Sequence, residues 1–292
     1  RFLRKNRIDI IHSQTPATVG MLGLILARLL KIPHVHHYQT FFEDYAHYFR
    51  IPIKLGRLSV RAISRWFCNR CDLVTVPTYP FKNLLESYGV KTEIMLWNSG
   101  IDIERFRRGR PVRAELGIPE NAFVLLFVGR VAREKNVAFL LEMMPRLVKK
   151  NRDIVLVIAG DGPLRVPFIR YSEELGIRKN VIFTRYIPPE RIPDVYRSAD
   201  VFVFASLTET QGLVTLEAMA AGLPVVAVPA YGIKYTLING EGCFLVELTA
   251  GDFIAKILLL MNPATRKKLA QKGANFVKRC SFGKLSTFGE GC

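Results

Sequence analysis

Short apolar runs alternate with segments of helical spacing along most of the chain. Val124 to Val128, Ile154 to Ala159 and Val201 to Phe204 are apolar at every position and rich in β-branched and aromatic residues. Such runs are typical of parallel strands that are buried on both faces. Between them, apolar residues recur every three or four positions, which predicts helices packed on a sheet. The alternation predicts an α/β protein with parallel sheets.

The same pattern gives approximate bounds for the elements. The predicted strands are Ile8 to Ile11, Pro33 to Tyr38, Asp72 to Pro77, Ile94 to Trp97, Val124 to Val128, Ile154 to Ala159, Val181 to Phe183, Val201 to Phe204, Val225 to Val228 and Cys243 to Val246. The main predicted helices are Ala17 to Leu30, Thr78 to Tyr88, Arg133 to Lys149, Pro193 to Ala199, Gly212 to Ala221, Asp252 to Met261 and Pro263 to Arg279, with a further one ending at Leu175. Thr15 is expected to cap the first helix and Pro16 to open it.

A chain of 292 residues has room for two domains. The polar, basic stretch from Arg107 to Pro111 follows the fourth predicted strand and precedes the fifth. We therefore expect a first domain over residues 1–107 and a second over residues 108–292.

The segment from Ala199 to Val228 forms a predicted strand, loop, helix and strand. In open α/β sheets, ligands bind at the loops that leave the carboxyl ends of strands. Glu209 lies in that loop and Glu217 in the following helix, while Gln211, Gly212 and Leu213 place backbone N–H groups at the helix start, where phosphate or sugar hydroxyls bind well. Spacing alone leaves open that both glutamates are solvated surface acids.

A second candidate site follows the strand Val124 to Val128. Gly129 and Arg130 end that strand, and Lys135 lies at the start of the next predicted helix. An arginine fork, a lysine charge and a helix dipole together suit a pyrophosphate. Basic residues at strand ends are common, so the pattern alone does not decide between a ligand site and an ordinary surface.

The net charge of +17 favours anionic partners, namely phosphate-bearing ligands, acidic lipid surfaces or nucleic acid. From Tyr45 to Cys71 the chain has no acidic residue, and helical spacing places four basic residues on one face near an aromatic one: Lys54, Arg57, Arg61, Arg65 and Trp66. A basic amphipathic helix of this kind can lie on a lipid interface, or it can be a surface helix that packs on the sheet. Nucleic acid is the poorer candidate, because aromatic residues do not alternate with the basic ones. The longest apolar run, Val19 to Ala27, is too short to cross a membrane.

Histidines and cysteines do not predict a metal centre. His34 and His36 share a strand face, as a metal pair would, but no third ligand is spaced to complete a site. Cys68 and Cys71 form a single CxxC pair without a second one, which favours reduced thiols over zinc. The sequence therefore predicts neither a metal nor a cofactor.

The stretch ETQGLVTLEAMAAGLPVVA, Glu209 to Ala227, resembles the Glu-x7-Glu signature of glycosyltransferase family four, whose members are retaining sugar-nucleotide transferases. The resemblance implies the GT-B fold, two doubly wound Rossmann-like lobes that face a central cleft, with the first lobe incomplete here. It implies that Glu209 holds the donor sugar with backbone help from Gln211 to Leu213, and that Glu217 binds the ribose hydroxyls. Arg130 and Lys135 are expected to neutralise the donor diphosphate without a metal, and the leaving phosphate to accept the acceptor's proton on the same face.

Two further segments carry the resemblance. Backbone groups of Thr184 to Ile187 are expected to hold the nucleotide base, although the family usually has glycine where Arg185 stands. HHYQTFFEDYAHY, His36 to Tyr48, resembles the acceptor loop of the diacylglycerol glucosyltransferase branch and assigns His12, Gln39 and Asp44 to the acceptor side. Gln39 replaces a histidine of that branch, so it can form hydrogen bonds but cannot shuttle a proton.

The expected function is transfer of a hexose, glucose from UDP-glucose, to a lipid such as diacylglycerol by a cytoplasmic protein bound peripherally to the inner face of the cell membrane. The sugar nucleotide is a co-substrate, and the expected partners are a lipid acceptor and an anionic membrane surface, with no nucleic acid. The alternatives are a GDP-mannose-dependent lipid or glycan mannosyltransferase and a catalytically impaired nucleotide-sugar-binding or membrane-recruiting protein. Because the family has an earlier strand and helix with a glycine loop, we also expect the sequence to be an N-terminally truncated piece.

Overall fold

A computed structural model describes residues 8–43 and 53–279, with side chains from residue 56 onward in the second range. The chain divides by spatial packing into two compact units, and the division falls between Ser99 and Gly100. Asp44 lies outside the described residues, and so does the side chain of Lys54. No helix in the described ranges is both long and apolar enough to span a bilayer.

The first unit contains a parallel sheet with helices between successive strands. Its described strands are β1 (Ile11–Ser13), β2 (His34–His37), β3 (Leu73–Val76) and β4 (Ile94–Leu96), and its described helices are α1 (Thr18–Leu30), α2 (Ile53–Cys68) and α3 (Tyr79–Ser87). The spatial strand order is β1-β2-β3-β4. Because each connection runs in the same direction across the sheet, right-handed crossovers place these helices on one face.

The core of the first unit lies on that face. Leu24 of α1, Phe67 of α2 and Phe81 of α3 pack with Val74 and Val76 of β3 in one buried cluster. On the opposite face, in register with Thr75, Met95 is 47% exposed, and Trp97 just beyond β4 is 50% exposed. The described helices of the first unit therefore pack on one face of the sheet, and the other face keeps two large apolar side chains half exposed.

The second unit contains a larger parallel sheet. Its described strands are β5 (Phe123–Val128), β6 (Ile154–Ala159), β7 (Val181–Phe183), β8 (Val201–Phe204), β9 (Val225–Ala227) and β10 (Cys243–Leu245). The described helices are α4 (Ile103–Arg107), α5 (Val137–Lys150), α6 (Arg165–Glu174), α7 (Ile192–Arg197), α8 (Leu213–Ala220), α9 (Ile233–Thr236), α10 (Ala250–Met261) and α11 (Pro263–Arg279).

The strand order of the second sheet is β10-β9-β8-β5-β6-β7. The chain first builds outward from β5 through β6 to β7, then crosses back to β8 and builds in the other direction. This reversal between β5 and β8 puts helices on both faces and leaves a crevice beside the carboxyl ends of these two strands. We call this place the switch point. The predicted α/β architecture with parallel sheets is confirmed.

Several predicted bounds differ from the structure near the first helix. β1 begins at Ile11 rather than Ile8, so His12 lies within the strand instead of after it. α1 begins at Thr18, and Thr15 is not its cap. The Thr15 hydroxyl accepts the Ala17 N–H at 3.3 Å within the turn that precedes the helix.

The predicted helix from Arg133 is also divided. Residues Arg133–Lys135 form a single 3-10 turn, and Asn136 then adopts a left-handed conformation with φ 54° before α5 begins at Val137. Lys135 thus lies in a turn outside the helix. The tight turn shortens the path from β5 to α5 and brings Lys135 back toward the switch point.

Two short helices were not predicted, because each is too short to show an apolar period. They are α4, which ends at the expected domain boundary, and α9. The Asp102 carboxylate caps α4 by accepting the Arg105 N–H at 3.0 Å. Phe106 of α4 packs against Tyr196 of α7, so this helix belongs to the second unit. Spatial packing consequently divides the chain at Ser99, before the expected boundary at Arg107.

Candidate functional site

The loops that leave β5 and β8 are joined by hydrogen bonds at the switch point. The two strands pair directly, with Leu126 in register with Phe202. The Ser206 hydroxyl donates to the Glu134 carbonyl at 3.1 Å, and the Asn136 side-chain amide donates to the Ala205 carbonyl at 3.3 Å. The sequence segments around residue 134 and residue 206 therefore form one structural site.

Two residues predicted from separate motifs meet in this site. The Lys135 ammonium donates a hydrogen bond to the Glu209 carboxylate, and both side chains are largely covered, at 22% and 13% exposure. Arg130 is more open, at 53% exposure, with its guanidinium 4.0 Å from the Glu134 carboxylate. The structure thus brings Lys135 and Glu209 together and leaves the Arg130 side chain half exposed at the end of β5.

Glycines set the backbone around Glu209. Gly212, the residue before α8, has φ 73°, and a Cβ there would overlap the Ile233 side chain. Gly232 donates its N–H to the Glu209 carbonyl at 2.8 Å, and a Cβ at Gly232 would overlap the Thr210 carbonyl. The loop that carries Glu209 is therefore held by close backbone contact with the turn that opens α9. Gln211 is buried in the same loop, and Leu213 is half-buried at the start of α8.

The loop after β6 packs against the loop after β5. Gly129 has φ 153° and Gly160 has φ 142°, and a Cβ on Gly160 would overlap the Gly129 carbonyl. Beyond β7, Arg185 pairs with Gly160 in an isolated antiparallel bridge. Ile187 follows as a half-buried residue. The carboxyl ends of β5, β6 and β7 therefore lie along one continuous rim.

Glu217 is not a solvent-facing acid. The Tyr196 hydroxyl of α7 donates to a Glu217 carboxylate oxygen at 2.9 Å. Burial raises the pKa of Glu217, and the Tyr196 hydrogen bond and the Arg105 charge only partly oppose this. Spacing alone left open that both glutamates are solvated surface acids, and for Glu217 the structure contradicts this, because its carboxylate is largely desolvated and bound to a tyrosine.

The two described acceptor-side candidates, His12 and Gln39, lie in the first unit, toward the carboxyl ends of its strands. The His12 ring stacks on Trp97 with centroids 5.5 Å apart, and the His37 ring meets the same indole edge-on at 6.2 Å. The Gln39 side chain donates to the Gln14 amide oxygen at 3.3 Å. Trp97 is a member of this cluster that the sequence did not suggest, since it lies far along the chain from His12.

The opposite face of the same sheet holds the two histidines considered as a metal pair. The Ser13 hydroxyl lies 2.8 Å from His34 Nε2 and 2.9 Å from His36 Nδ1. Burial lowers the pKa of His36 to about 3, so its ring is neutral at physiological pH. These histidines are engaged with Ser13 in the core.

The basic helix α2 is only partly free for a lipid surface. The Arg61 guanidinium donates to the buried Glu43 carboxylate at 2.8 Å, and Arg57 lies 4.0 Å from the same group. Burial opposes ionisation of Glu43, but hydrogen bonds from Arg61 and Tyr88 outweigh it and lower the pKa of that carboxyl. Arg61 is therefore held in an ion pair with Glu43, a contact that the sequence pattern does not predict.

The remaining exposed face of α2 combines apolar and basic groups. Leu58 is 62% exposed and Ile63 53% exposed, and Trp66 stacks under the Arg70 guanidinium at 4.2 Å. Arg65 is exposed on the same helix. Large exposed apolar side chains among cations are the pattern of a helix that rests on an anionic interface.

Two known family models match the amino-acid sequence of the chain. The model of the glycosyl transferases group 1 family matches residues 110–276, and the model of glycosyltransferase family 4 matches residues 1–105. The first of these covers more than half of the chain. The chain belongs to the glycosyl transferases group 1 family. The two models meet between residues 105 and 110, whereas spatial packing divides the chain at Ser99.

Curated relatives in this family act on different acceptors, as their names state. The alpha-monoglucosyldiacylglycerol synthase of Streptococcus pneumoniae is 36% identical over 77% of this chain and 52% of its own length. The D-inositol 3-phosphate glycosyltransferase of Corynebacterium glutamicum is 30% identical over 84% of this chain and 62% of its own. The chain thus spans about half to two thirds of the length of such relatives.

Solved structures share the fold. Anabaena HepE in complex with UDP and glucose superposes with a TM-score of 0.81 at 19% identity, covering 95% of this chain and 75% of that one. Sucrose-phosphate synthase from Thermosynechococcus elongatus gives 0.79 at 24% identity, covering 95% and 70%. The GT-B glycosyltransferase fold is confirmed.

Proposed function

We propose that the protein transfers a hexose from a sugar nucleotide, with the donor bound at the switch point of the second unit. The observation that carries this is the meeting of Lys135 and Glu209 where the strand order reverses. The Lys135 cation can bind the diphosphate of a sugar nucleotide. The Glu209 carboxylate can accept hydrogen bonds from the hydroxyls of its sugar.

The cations would hold the diphosphate. Arg130 is open and can present two parallel N–H donors to phosphate oxygens, while Lys135 supplies a single mobile charge. The first amides of α8, at Leu213 and Val214, have no acceptor within the helix and lie at the positive end of its dipole. When the bond to the sugar breaks, negative charge grows on the departing diphosphate, and these fixed groups would stabilise it.

Glu209 would position the sugar. In the structure its carboxylate accepts from Lys135, and a bound diphosphate would compete for that ammonium. The carboxylate would then accept hydrogen bonds from sugar hydroxyls instead. Glu217, held by Tyr196, would accept from the ribose, with the segment ending at Ile187 beside the base.

For the acceptor we propose a lipid such as diacylglycerol and for the donor UDP-glucose. Support comes from the 36% identity to a protein named alpha-monoglucosyldiacylglycerol synthase and from the exposed apolar and basic face of α2. The protein would then work as a peripheral protein on the inner membrane face. His12, Gln39 and Asp44 stay predictions for the acceptor side.

The test begins with UDP binding to the 292-residue chain by calorimetry. Wild type is expected to bind, and Lys135→Gln to bind at least about tenfold more weakly, because a charged hydrogen bond is lost. Lys149→Gln, an exposed lysine on the far end of α5, is the charge-matched control and should bind as wild type. Equal affinity for all three proteins would overturn the donor site.

Transfer is measured with UDP-glucose and GDP-mannose side by side, using diacylglycerol in mixed micelles. Glu209→Gln should keep UDP affinity within about threefold and lower the transfer rate by about a hundredfold or more, since it acts on the sugar. Faster transfer from GDP-mannose would favour the mannosyltransferase alternative. UDP binding without transfer from either donor, in a chain extended to the length of its relatives, would favour a non-catalytic binding protein.

A further inference from the structure

A pocket of about 470 Å³ opens at the amino-terminal edge of the first sheet. Leu24 of α1 forms part of its apolar wall, and Lys31 with the chain leading into β2 forms one side. Arg70 and Asp72, between α2 and β3, form the other. His12 and Trp97 lie toward the carboxyl ends of the strands, so this pocket is at the opposite edge from the acceptor-side candidates. Its size is in the range of small-ligand sites.

The pocket is lined by more positive than negative charge. Arg28, Lys31 and Arg70 contribute three cations, and none forms an ion pair with a carboxylate in the described part of the chain. Asp72 contributes one carboxylate, which accepts the His34 backbone N–H at 2.8 Å. Burial lowers the pKa of His34, so that ring adds no charge near neutral pH. The three cations are exposed and the lining carries a net positive charge, which favours an anionic ligand over a neutral one.

Lys31 occupies a position that suits glycine better. It ends α1 with φ 56° and ψ 44°, the left-handed conformation in which a Cβ is disfavoured and glycine is the usual residue. A glycine would end the helix with less strain but would supply no ammonium to the pocket. Strained residues of this kind concentrate at binding sites.

We propose that this pocket binds a phosphate group, either the phosphodiester of a lipid headgroup or a soluble phosphate monoester, as a second anion site separate from the donor site. Two guanidinium forks and one ammonium around an apolar wall suit a phosphate with a short carbon chain attached. The Arg70 guanidinium also stacks on Trp66, so the pocket adjoins the exposed face of α2. This continuity favours the lipid headgroup.

The competing explanation is that the cations only neutralise helix ends. Basic side chains near helix C-termini bind free carbonyls, and Arg70 does donate to the Trp66 carbonyl at 3.0 Å. Lys31 separates the two explanations, because a residue present only to end α1 should be replaceable by glycine with a gain in stability and no other effect.

The first experiment titrates glycerol 3-phosphate into the 292-residue chain by calorimetry, at fixed ionic strength and with saturating UDP present. Arg28→Gln, Arg70→Gln and Lys31→Gly are each expected to weaken binding about tenfold or more, while Lys31→Gly keeps or raises the melting temperature. Lys91→Gln, an exposed lysine at the same edge of the sheet, should bind as wild type. Wild-type affinity in Lys31→Gly and Arg28→Gln would overturn the proposal.

The proposed donor site at the switch point can be tested separately from this pocket. UDP affinity should be unchanged in the three pocket variants. Conversely, glycerol 3-phosphate binding that is lost in Lys135→Gln but kept in Arg28→Gln would place the anion at the switch point and contradict a second site.

A second experiment distinguishes the source of the phosphate. Sedimentation with vesicles of phosphatidylglycerol in phosphatidylcholine is compared with vesicles of phosphatidylcholine alone. If a headgroup is the ligand, Lys31→Gly should sediment at least about threefold less with the anionic vesicles than Lys91→Gln does. If Lys31→Gly loses glycerol 3-phosphate but sediments like the control, the ligand is a soluble phosphate ester. If the pocket variants bind glycerol 3-phosphate and sediment with anionic vesicles as Lys91→Gln does, the pocket does not bind phosphate.

Discussion

Arg185 has a left-handed backbone conformation, which glycine adopts more easily than any other residue. It follows β7 with φ 64° and pairs with Gly160 across the rim of the second sheet. The resemblance predicts glycine at this place, and the structure keeps the turn that a glycine would make. The substitution has therefore added a cation to the base-side loop at the expense of local backbone strain.

Replacing Arg185 by glycine should stabilise the second unit. Glycine removes the free-energy cost of the left-handed conformation, and this gain exceeds the loss from the greater conformational entropy of glycine in the unfolded chain. We therefore expect the free energy of unfolding to rise by about 0.5 to 1 kcal/mol. Arg152→Gly, at an exposed position without positive φ, should instead lose stability. Urea unfolding of both variants provides the measurement, and a loss in Arg185→Gly would show that its side chain contributes more than its backbone costs.

Glu217 should make the free energy of unfolding of the wild-type protein decrease as the pH rises from 4 to 7. Because burial raises its pKa in the folded protein, the folded state prefers the protonated form. That preference stabilises the fold fully below the ordinary carboxyl pKa and is lost as the pH rises through the raised value. Glu217→Gln does not titrate, so its stability relative to wild type should increase from pH 4 to pH 7.

The size of that increase follows from the pKa difference, since one pH unit between the folded and unfolded values corresponds to about 1.4 kcal/mol. Urea unfolding across the pH range measures it. Tyr196→Phe removes the hydrogen bond that lowers the Glu217 pKa, and should steepen the pH dependence. A constant difference between wild type and Glu217→Gln would mean that the carboxyl ionises normally. If the ribose contact is correct, the more stable Gln variant binds UDP less tightly.

Single residues of the candidate site can be proposed from the sequence where a local motif contains them. Glu209, Gly212, Arg130 and Lys135 lie in the loops that leave the carboxyl ends of β5 and β8, where ligand contacts concentrate in open α/β sheets. Tyr196 and Ser206 were not predictable, because their partners Glu217 and Glu134 are 21 and 72 positions away. Sequence spacing carries no information about contacts of that range.

Among elements, buried strands were predicted best and short helices worst. β6, β7 and β8 have the predicted bounds, because each is a continuous apolar run between polar residues. α4 and α9 have five and four residues and are held by tertiary packing rather than by a periodic apolar face. The 3-10 turn before α5 is likewise set by Asn136 in a left-handed conformation, for which the helical period gives no signal.

The packing of α11 on the turn before β10 can be tested with two neighbouring glycines. Gly240 and Gly242 have φ values of 86° and 97°, so alanine is strained at both. A Cβ on Gly240 would point into open space, whereas one on Gly242 would overlap Gly273 of α11.

Gly240→Ala should therefore cost about 1 kcal/mol for backbone strain alone. Gly242→Ala should cost about 3 kcal/mol or more, because α11 must also move away from the turn. Unfolding free energies in urea give both numbers. Similar losses in the two variants would mean that α11 yields easily, and that the close approach contributes little to the fold.

At the scale of the molecule, the two units differ in how their sheets are covered. The strand order of the first unit never reverses, so its described helices lie on one face, and Met95 and Trp97 are half exposed on the other. The second sheet reverses between β5 and β8 and is packed on both faces, which follows from the order of its strands. The apolar runs predicted buried strands in both units, but strand order, and with it the location of the switch point, cannot be read from apolar pattern alone.

The location of the switch point predicts where a bound nucleotide should slow hydrogen exchange. UDP at a hundredfold excess over its dissociation constant should stabilise the unit that binds it by about 2.7 kcal/mol, because it binds only the folded state. Hydrogen exchange followed by mass spectrometry should then show slower exchange in β5, β8 and the loops that contain Lys135 and Glu209. Peptides of β1 to β4, which contain no proposed donor contact, should change less.

Lys135→Gln at the same UDP concentration should lose the protection, since fewer molecules are bound. Protection centred on the first sheet, with the switch-point loops unchanged, would mean that the nucleotide binds elsewhere and that the pairing of Lys135 with Glu209 is a structural ion pair.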